Sequence, residues 1–218
     1  DDAEQSSSGS VNLTSSDLEL THDSTDQIDG MRWTGVTIPP GATITAAWIQ
    51  FSAKESQSEV TSLRIRGELS ANPATFTTAS GSITARAPTL AAASWSPVPW
   101  TAGEAGTRQQ TPDLTLVIQE IVGQGAWASG NALVIMIDGT GHRTAYAWDG
   151  SATASPLLHV EYTTGPPPDL PPVARLSLSK ASPTSLTVTA DGSASTDTDT
   201  TPIANYSFDF GDGTVISG

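Results

Sequence analysis

The sequence predicts an all-β protein made of two β-sandwich domains, with one short helix packed on the first of them. Apolar and polar residues alternate over several short runs, which is the pattern of antiparallel strands with one buried face. The 19 glycines and 15 prolines indicate frequent turns between such strands. Residues 165–172 are rich in proline and favour a stiff, extended linker. We therefore expect one domain at residues 1–164 and a second at residues 173–218.

The charge and the cysteine content restrict the classes of function. Nine Lys and Arg residues against 23 Asp and Glu residues give a formal net charge of −14, and such a surface repels nucleic acids and anionic lipids. The sequence has no cysteine, which excludes disulfides, thiolate nucleophiles and cysteine-ligated zinc. No apolar run is long enough to span a membrane. The acidic, Lys-poor composition is typical of secreted proteins, so we expect an extracellular or cell-surface location.

The first elements in chain order are short strands at residues 11–13 and 18–20, followed by a polar loop at residues 22–30. Residues 31–51 then form two β-rich runs around Pro40 and Gly41, which suit the two central positions of a type II turn. We interpret this stretch as the central hairpin of the first sandwich. The second of its runs, which contains Trp48, is expected to be buried on both faces.

The rest of the first domain continues this pattern. Residues 63–69 alternate as a strand with Leu63, Ile65 and Leu69 pointing inward, and residues 70–110 show no regular periodicity. Later strands are predicted at residues 132–138, 144–148 and 157–162. The first of these is apolar on both faces, which predicts a central position in a sheet.

One helix is predicted before those strands. Thr111 is a good N-cap, Pro112 suits the first helical position, and Gly123 is expected to end the helix. A single apolar stripe runs along this segment and consists of Leu114, Val117, Ile118, Ile121 and Val122. A helix this short is marginal alone in water, so the stripe should pack on the sandwich.

Three motifs characterise the second domain: Asp191-Gly-Ser-Ala-Ser, Asp197-Thr-Asp199 and a Phe-Gly-Asp-Gly turn within residues 205–214. With these motifs, residues 172–218 resemble PKD domains, although such domains usually have Trp where this chain has Phe208. The resemblance implies an Ig-like β-sandwich of extracellular proteins. The family pattern continues with further strands beyond this turn. We therefore expect the domain to be incomplete at its end, so that a continuing polypeptide or a neighbouring subunit supplies the missing strands.

The first domain carries a second resemblance, spread over six stretches: residues 31–33, 38–48, 111–115, 119–122, 127–133 and 155–162. In their order and spacing they resemble the bacterial jelly-roll modules of the DNRLRE and CBM96-like kind. The resemblance covers residues 30–162. It implies a jelly-roll β-sandwich attached to secreted enzymes or adhesins, without catalytic activity of its own. Some members of the family bind polysaccharide.

Acidic residues at two places are candidate calcium ligands, because calcium prefers several carboxylate and carbonyl oxygens. In the second domain the candidates are Asp191, Asp197 and Asp199, and the alternative is that they only form Asx-turns. In the first domain, a group of acidic side chains would meet if the N-terminal strand pairs near the last hairpin. This group consists of Asp2, Glu4, Asp17, Glu19 and Asp149.

Aromatic and basic side chains are candidates for ligand binding. An exposed indole can stack on a sugar ring, and three of the six tryptophans are not already expected in the core: Trp95, Trp100 and Trp148. The alternative is that these three are also buried. Arg64 and Arg66 lie on the polar face of their predicted strand and could bind an acidic sugar. Their alternative is an ordinary solvated strand face.

Motifs for catalysis are absent from the sequence. The three histidines have no metal-ligand spacing, and there is no Gly-x-Ser-x-Gly nucleophile motif. We therefore predict a non-catalytic module of a larger extracellular bacterial protein that binds a glycan or a surface, with the second domain as a spacer. The alternative is a structural subunit of an extracellular filament or an adhesin stalk that acts in adhesion and self-assembly.

Overall fold

The chain divides into two compact units, Asp1–Gly165 and Pro166–Gly218. The computed structural model describes residues 1–165, 171–197 and 202–217, so most of the predicted linker at 165–172 lies outside the described residues. Both units are built from antiparallel strands, and the predicted all-β class is confirmed. Within the described ranges, no helix is long and apolar enough to cross a lipid bilayer.

The first unit has one α-helix, α1 (Thr115–Val122), one short 3-10 helix (Thr107–Gln109) and eleven strands. In chain order they are β1 (Asp2–Ser6), β2 (Val11–Asn12), β3 (Asp17–Leu20), β4 (His22–Asp23), β5 (Thr25–Val36), β6 (Thr43–Gln50), β7 (Ser62–Glu68), β8 (Pro88–Trp95), β9 (Asn131–Thr140), β10 (Arg143–Tyr146) and β11 (Leu157–Thr163). The larger sheet has the order β2-β1-β5-β9-β7-β8, and β4 pairs with β5.

Strand β9 lies inside this larger sheet between β5 and β7, which confirms the central position predicted for residues 132–138. Its apolar residues are buried on both faces. Ile135 belongs to the main core, whereas Val134 and Met136 form a smaller cluster with Phe76 and Ile83. A strand covered on both sides needs apolar residues at every position, which is the pattern seen in the sequence.

The second layer of the sandwich consists of two strand pairs, β3 with β10 and β6 with β11. An isolated bridge between Ala53 and Ala145 links the segment after β6 to β10. The main core contains apolar side chains from both layers and from α1, among them Leu18, Leu20, Ile49, Phe51, Leu63, Ile65, Ile118, Ile121, Leu133 and Ile137. The first unit is therefore a β-sandwich.

The turn at Pro40 and Gly41 forms as predicted. The backbone N–H of Ala42 donates to the carbonyl of Pro39 over 3.2 Å, and Gly41 has φ of 76°. The two strands beside it do not pair with each other, because β5 lies in the larger sheet and β6 pairs with β11. The predicted central hairpin is therefore wrong: the turn carries the chain from one layer to the other.

Four further predictions need correction. Residues 22–30 form β4 and the first half of β5 instead of a polar loop, and residues 70–110 contain β8. The side chain of Trp48 is only half-buried and stacks on His159, with ring centroids 3.9 Å apart. Leu69, which was expected to point inward, is exposed. For residues 22–30, for β8 and for Trp48, the strand partners are distant in sequence, and local patterns do not identify them.

Helix α1 packs its apolar stripe into the core, as predicted, and ends at Gly123. It begins at Thr115 and not at Thr111. The side chain of Thr111 is bound elsewhere, since its Oγ1 accepts a hydrogen bond from the backbone N–H of Ile49 over 3.0 Å. The first turn is instead held by Asp113, whose Oδ1 accepts from the Thr115 N–H over 3.0 Å.

In its described residues the second unit contains two strand pairs, β12 (Ser177–Lys180) with β13 (Val188–Asp191) and β14 (Ser207–Asp209) with β15 (Val215–Ser217). The predicted Phe-Gly-Asp-Gly turn connects the second pair, and both of its glycines have positive φ. Several large apolar side chains of this unit remain exposed, including Leu176, Leu178, Leu186, Val215 and Ile216.

Candidate functional site

A cavity of about 470 Å³ in the first unit is the best candidate for a binding pocket. It lies among the start of β1, the middle of β5 and the segment between β10 and β11. Trp33 and Trp148 contribute aromatic rings to its lining, and Asp1, Arg32 and Thr153 contribute polar groups. Ligand pockets of this size combine apolar walls with a few polar groups that set orientation and specificity.

Trp148 is the exposed aromatic residue of this pocket, with 57 % of its surface accessible. It lies just after the short strand β10, inside a turn in which Ser151 N–H donates to the Ala147 carbonyl over 3.0 Å. The backbone N–H of Trp148 donates to Oδ2 of Asp2 over 2.8 Å. These contacts hold the backbone while the indole is exposed, so Trp148 remains a candidate for stacking on a ligand.

Trp33 and Arg32 were missed as site residues. The indole of Trp33 packs against the main core but is only half-buried, and its Nε1 donates to the Pro156 carbonyl over 3.2 Å. The Arg32 guanidinium donates to the Pro73 carbonyl over 3.0 Å and lies 3.7 Å from the Asp1 carboxylate. No signal in the sequence marked these two residues as part of a site, because the pocket forms only where the segment before β11 lies against β5.

Trp95 and Trp100, the other two aromatic candidates, are only 6 % and 2 % exposed. Their rings cluster with Phe51, with centroids 5.8 Å apart for Trp95 and Phe51 and 6.1 Å apart for the two tryptophans. The Nε1 of Trp100 is bound to the Arg108 carbonyl. A sugar ring cannot reach buried indoles, so the prediction that they stack on a sugar is wrong. Both side chains are part of the hydrophobic core instead.

Arg64 and Arg66 share one carboxylate on the neighbouring strand. Arg64 binds both oxygens of Asp138 over 3.0 and 3.1 Å, and Arg66 binds Oδ2 over 2.8 Å. Arg66 and Asp138 also line a larger, more open cavity of about 630 Å³, whose described lining residues include no aromatic ring. The shared Asp138 offsets part of the positive charge that was expected to bind an acidic sugar.

A group of four acidic residues lies next to the pocket, and we call it the carboxylate cluster: Asp2 and Glu4 of β1, Glu19 of β3 and Asp29 of β5. Glu4 and Asp29 are directly opposite each other in the β1–β5 ladder. The Gln27 side chain links them, since its Nε2 donates to Glu4 Oε1 over 3.1 Å and to Asp29 Oδ1 over 3.2 Å. The backbone N–H of Glu19 also donates to Glu4 Oε1, over 3.1 Å.

Burial dominates the acidity of these groups. Burial, a side-chain hydrogen bond with Glu19 and the charges of Asp29 and Glu19 raise the pKa of Glu4 to about 9. Burial also raises the pKa of Asp29 well above its ordinary value, against the lowering effect of the hydrogen bond from Gln27. The pKa of Asp2 is raised by burial as well, although the hydrogen bond from Trp148 opposes the shift. Apolar surroundings and like charges both disfavour ionised carboxylates.

The acidic residues predicted as calcium ligands in the first unit are only partly brought together. Asp2, Glu4 and Glu19 meet in the carboxylate cluster. Asp17 instead forms an ion pair with Lys54 over 2.7 Å, so its prediction as a member of this group is wrong. Asp149 is exposed, and its charge helps to raise the pKa of Asp2. Asp29 was missed, since residues 22–30 were interpreted as a loop.

The calcium-ligand candidates of the second unit provide less evidence for a metal site. Asp191 Oδ1 accepts from the Ser193 N–H over 2.8 Å, which is an Asx-turn, and this hydrogen bond lowers the pKa of Asp191. Of the other two candidates, Asp197 lies within the described residues and Asp199 lies outside them. Among the residues with assigned positions, no three His, Asp or Glu side chains converge as a preformed metal centre.

Comparison with known proteins adds no assignment to this geometry. No protein-family model matches the chain, and no curated protein sequence matches it.

Proposed function

We propose that the first unit is a non-catalytic glycan-binding module, whose ligand is a neutral polysaccharide that stacks on Trp148. The observation that carries this proposal is the exposed indole of Trp148 on the wall of the 470 Å³ cavity. An indole face offers a flat apolar surface to the C–H groups of a pyranose ring, while a polar rim can bind its hydroxyl groups.

The polar groups around Trp148 support a neutral ligand over an acidic one. Asp1 and Asp2 bring two carboxylates to the pocket lining, and Arg32 brings one guanidinium that is already close to Asp1. The chain as a whole has a formal net charge of −14. A uronic acid would be repelled by such a surface, whereas the hydroxyl groups of a neutral sugar can donate to these carboxylates.

The wider setting of this proposal is an extracellular or cell-surface protein of jelly-roll type, with the second unit as a PKD-type, Ig-like spacer. The acidic, cysteine-free composition and the motifs named above support this assignment. The short strand pairs of the second unit, with the glycine turn between β14 and β15, agree with it in secondary structure.

A glycan array probed with the full 218-residue chain tests the proposal. We expect binding to one or a few neutral polysaccharides, loss of that binding in Trp148→Ala, and its retention in Leu90→Ala. Leu90 is a suitable control because it is 94 % exposed and lies on β8, outside the lining of the pocket. Absence of binding by the wild-type chain, or equal binding by Trp148→Ala, would contradict the proposal.

A structural role is the second candidate function, and the exposed apolar side chains of the second unit favour it. Unpaired strand edges and exposed apolar area promote association with a second copy of the chain. Concentration-dependent assembly in sedimentation experiments, together with silence on the glycan array, would favour a filament or stalk subunit.

A further inference from the structure

We propose that the carboxylate cluster binds a calcium ion, with Glu4, Glu19 and Asp29 as the side-chain ligands and Asp2 at the edge of the site. The proposal concerns an ion held between β1, β3 and β5, and it does not depend on glycan binding. Its basis is the combination of concentrated negative charge, burial and unsatisfied polar atoms at one place in the fold.

The first step of the argument is the unbalanced charge. Asp2, Glu4 and Asp29 are 7 %, 6 % and 0 % exposed, and Glu19 is half-buried beside them. In the described part of the chain, no Lys, Arg or His side chain forms an ion pair with any of the four. Buried carboxylates without a cationic partner are costly even when they accept hydrogen bonds, so the fold must supply protons or a cation.

The second step concerns two polar atoms without partners. Among the described residues, the buried side-chain atoms that lack a hydrogen bond are Thr21 Oγ1 and Asp29 Oδ2. Both belong to residues bound to Gln27, since Gln27 N–H donates to the Thr21 carbonyl over 2.9 Å and the Gln27 side chain donates to Asp29 Oδ1. Asp29 Oδ2 therefore belongs to the carboxylate cluster itself, and the backbone of Thr21 adjoins the same glutamine.

These atoms favour a cation over protons. A proton on Asp29 Oδ2 would itself need an acceptor, and that atom has no hydrogen-bond partner. A cation would satisfy the oxygen lone pairs directly and would neutralise the charge as well. Native proteins rarely leave a fully buried carboxylate oxygen unpaired, and a bound ion is one of the accepted explanations.

The ligand chemistry points to calcium. All the side-chain donors are hard oxygens, with no sulfur or imidazole in the cluster, and they come from three separate strands. Calcium accepts six to eight such oxygens in irregular geometry, whereas magnesium demands a near-ideal octahedron and retains several waters. Since the side chains do not converge as a preformed centre, the ion must draw the carboxylates together by side-chain rotation.

The experiment measures calcium binding by the full 218-residue chain without any sugar present, so that its outcome is separate from that of the glycan proposal. The protein is freed of metal with chelator and titrated with CaCl₂ by calorimetry, and its melting temperature is followed in parallel. At calcium about 100 times Kd we expect the melting temperature to rise by about 5 to 10 °C.

The decisive variant is Asp29→Asn, which keeps the shape of the side chain and removes its charge. We expect this variant to fold, to show no lower melting temperature in chelator, and to weaken calcium binding by about tenfold or more. Asp23→Asn, an exposed change on β4, should respond to calcium like the wild type. Asp191→Asn should also respond like the wild type if the ion is in the first unit.

Three results would overturn the proposal. They are the absence of calcium binding by the wild-type chain, unchanged affinity in Asp29→Asn, and loss of the response in Asp191→Asn with its retention in Asp29→Asn. If Asp29→Asn fails to fold, Glu19→Gln replaces it, because Glu19 is half-buried and tolerates the loss of charge at lower cost. Unchanged calcium affinity in Glu19→Gln would then overturn the proposal.

Discussion

The Oδ2 atom of Asp2 accepts a hydrogen bond from the backbone N–H of Trp148 over 2.8 Å. This contact joins the first strand of the larger sheet to the residue that exposes its indole in the pocket. It also places one member of the carboxylate cluster in the lining of the pocket. The position of Trp148 therefore depends on how the N-terminal strand is held.

Replacing Trp148 with Ala should weaken binding of the polysaccharide identified on the array by about 2 kcal/mol or more, roughly 30-fold. The reason is the loss of the exposed aromatic face, and because that face is exposed the stability should change by less than about 0.5 kcal/mol. Affinity electrophoresis and urea denaturation measure the two effects. Equal affinities of Trp148→Ala and the Leu90→Ala control would show that the indole takes no part in binding.

Replacing Ile118 with Ala should lower the free energy of unfolding by about 2 to 5 kcal/mol, because its side chain is fully buried between α1 and the sheets. Leu116 lies on the same helix and is 74 % exposed, so Leu116→Ala is the matched control and should cost less than about 0.5 kcal/mol. Urea denaturation of both variants provides the comparison. Similar losses in the two variants would mean that α1 is not docked through Ile118.

In the metal-free protein, stability should fall as the pH rises from about 5 to about 9. Burial and the neighbouring Glu19 raise the pKa of Glu4 from an ordinary 4.5 to about 9, so the folded state holds a proton in this range that the unfolded state has lost. The stabilisation is complete below the unfolded pKa and disappears as the pH passes the folded pKa. Urea denaturation in chelator across this range measures the slope.

The variant Glu4→Gln should flatten this pH dependence, since it cannot ionise. Burial shifts the pKa values of Asp2 and Asp29 in the same direction, so a smaller decline should remain in the variant. A wild-type free energy of unfolding that increases between pH 5 and 9 in chelator would show that Glu4 is ionised in the folded state.

Arg143 should be essential for stability although it has no carboxylate partner within hydrogen-bonding distance in the described part of the chain. It is 1 % exposed, and its guanidinium donates to Thr61 Oγ1 and to the carbonyls of Glu59, Pro97 and Val98. Arg143→Met would remove the side-chain donor of the Pro97 and Val98 carbonyls, and we expect a loss of about 2 to 4 kcal/mol in urea denaturation.

Arg64→Met is the control for this prediction. Arg64 is also a strand arginine, but its side chain is 55 % exposed and its ion pair with Asp138 is open to solvent, so the change should cost less than about 1 kcal/mol. A loss for Arg143→Met as small as that for the control would mean that water replaces the guanidinium without penalty.

The elements that were predicted correctly depend on residues close together in the sequence. The Pro40–Gly41 turn follows from the φ values that these two residues favour. The buried stripe of α1 follows from helical periodicity, and the helix stops at Gly123, a poor helix former that keeps a right-handed φ of −76° here. The central position of β9 follows from its apolar residues on both faces.

The candidate site was predicted only in part, because its residues are distant in the sequence. Trp148 was named from the sequence, but its exposure could not be separated from the burial of Trp95 and Trp100, since burial depends on packing partners that are distant in sequence. Asp29 was missed because a polar segment that forms a strand between two other strands has the same composition as a loop. The composition of a segment shows that it is polar, but it does not show which strand the segment pairs with.

The sequence by itself determined the β-rich class, the turns, the helix stripe and the presence of more acidic than basic charge. Only the tertiary structure decided that β5 pairs with β1 and β9, that β6 pairs with β11, and that Glu4 faces Asp29 across the first ladder. Turn and helix preferences arise from interactions between near neighbours along the chain. Strand pairing and the contacts of buried side chains arise between distant segments, and the local sequence of a strand does not identify the strand that it pairs with.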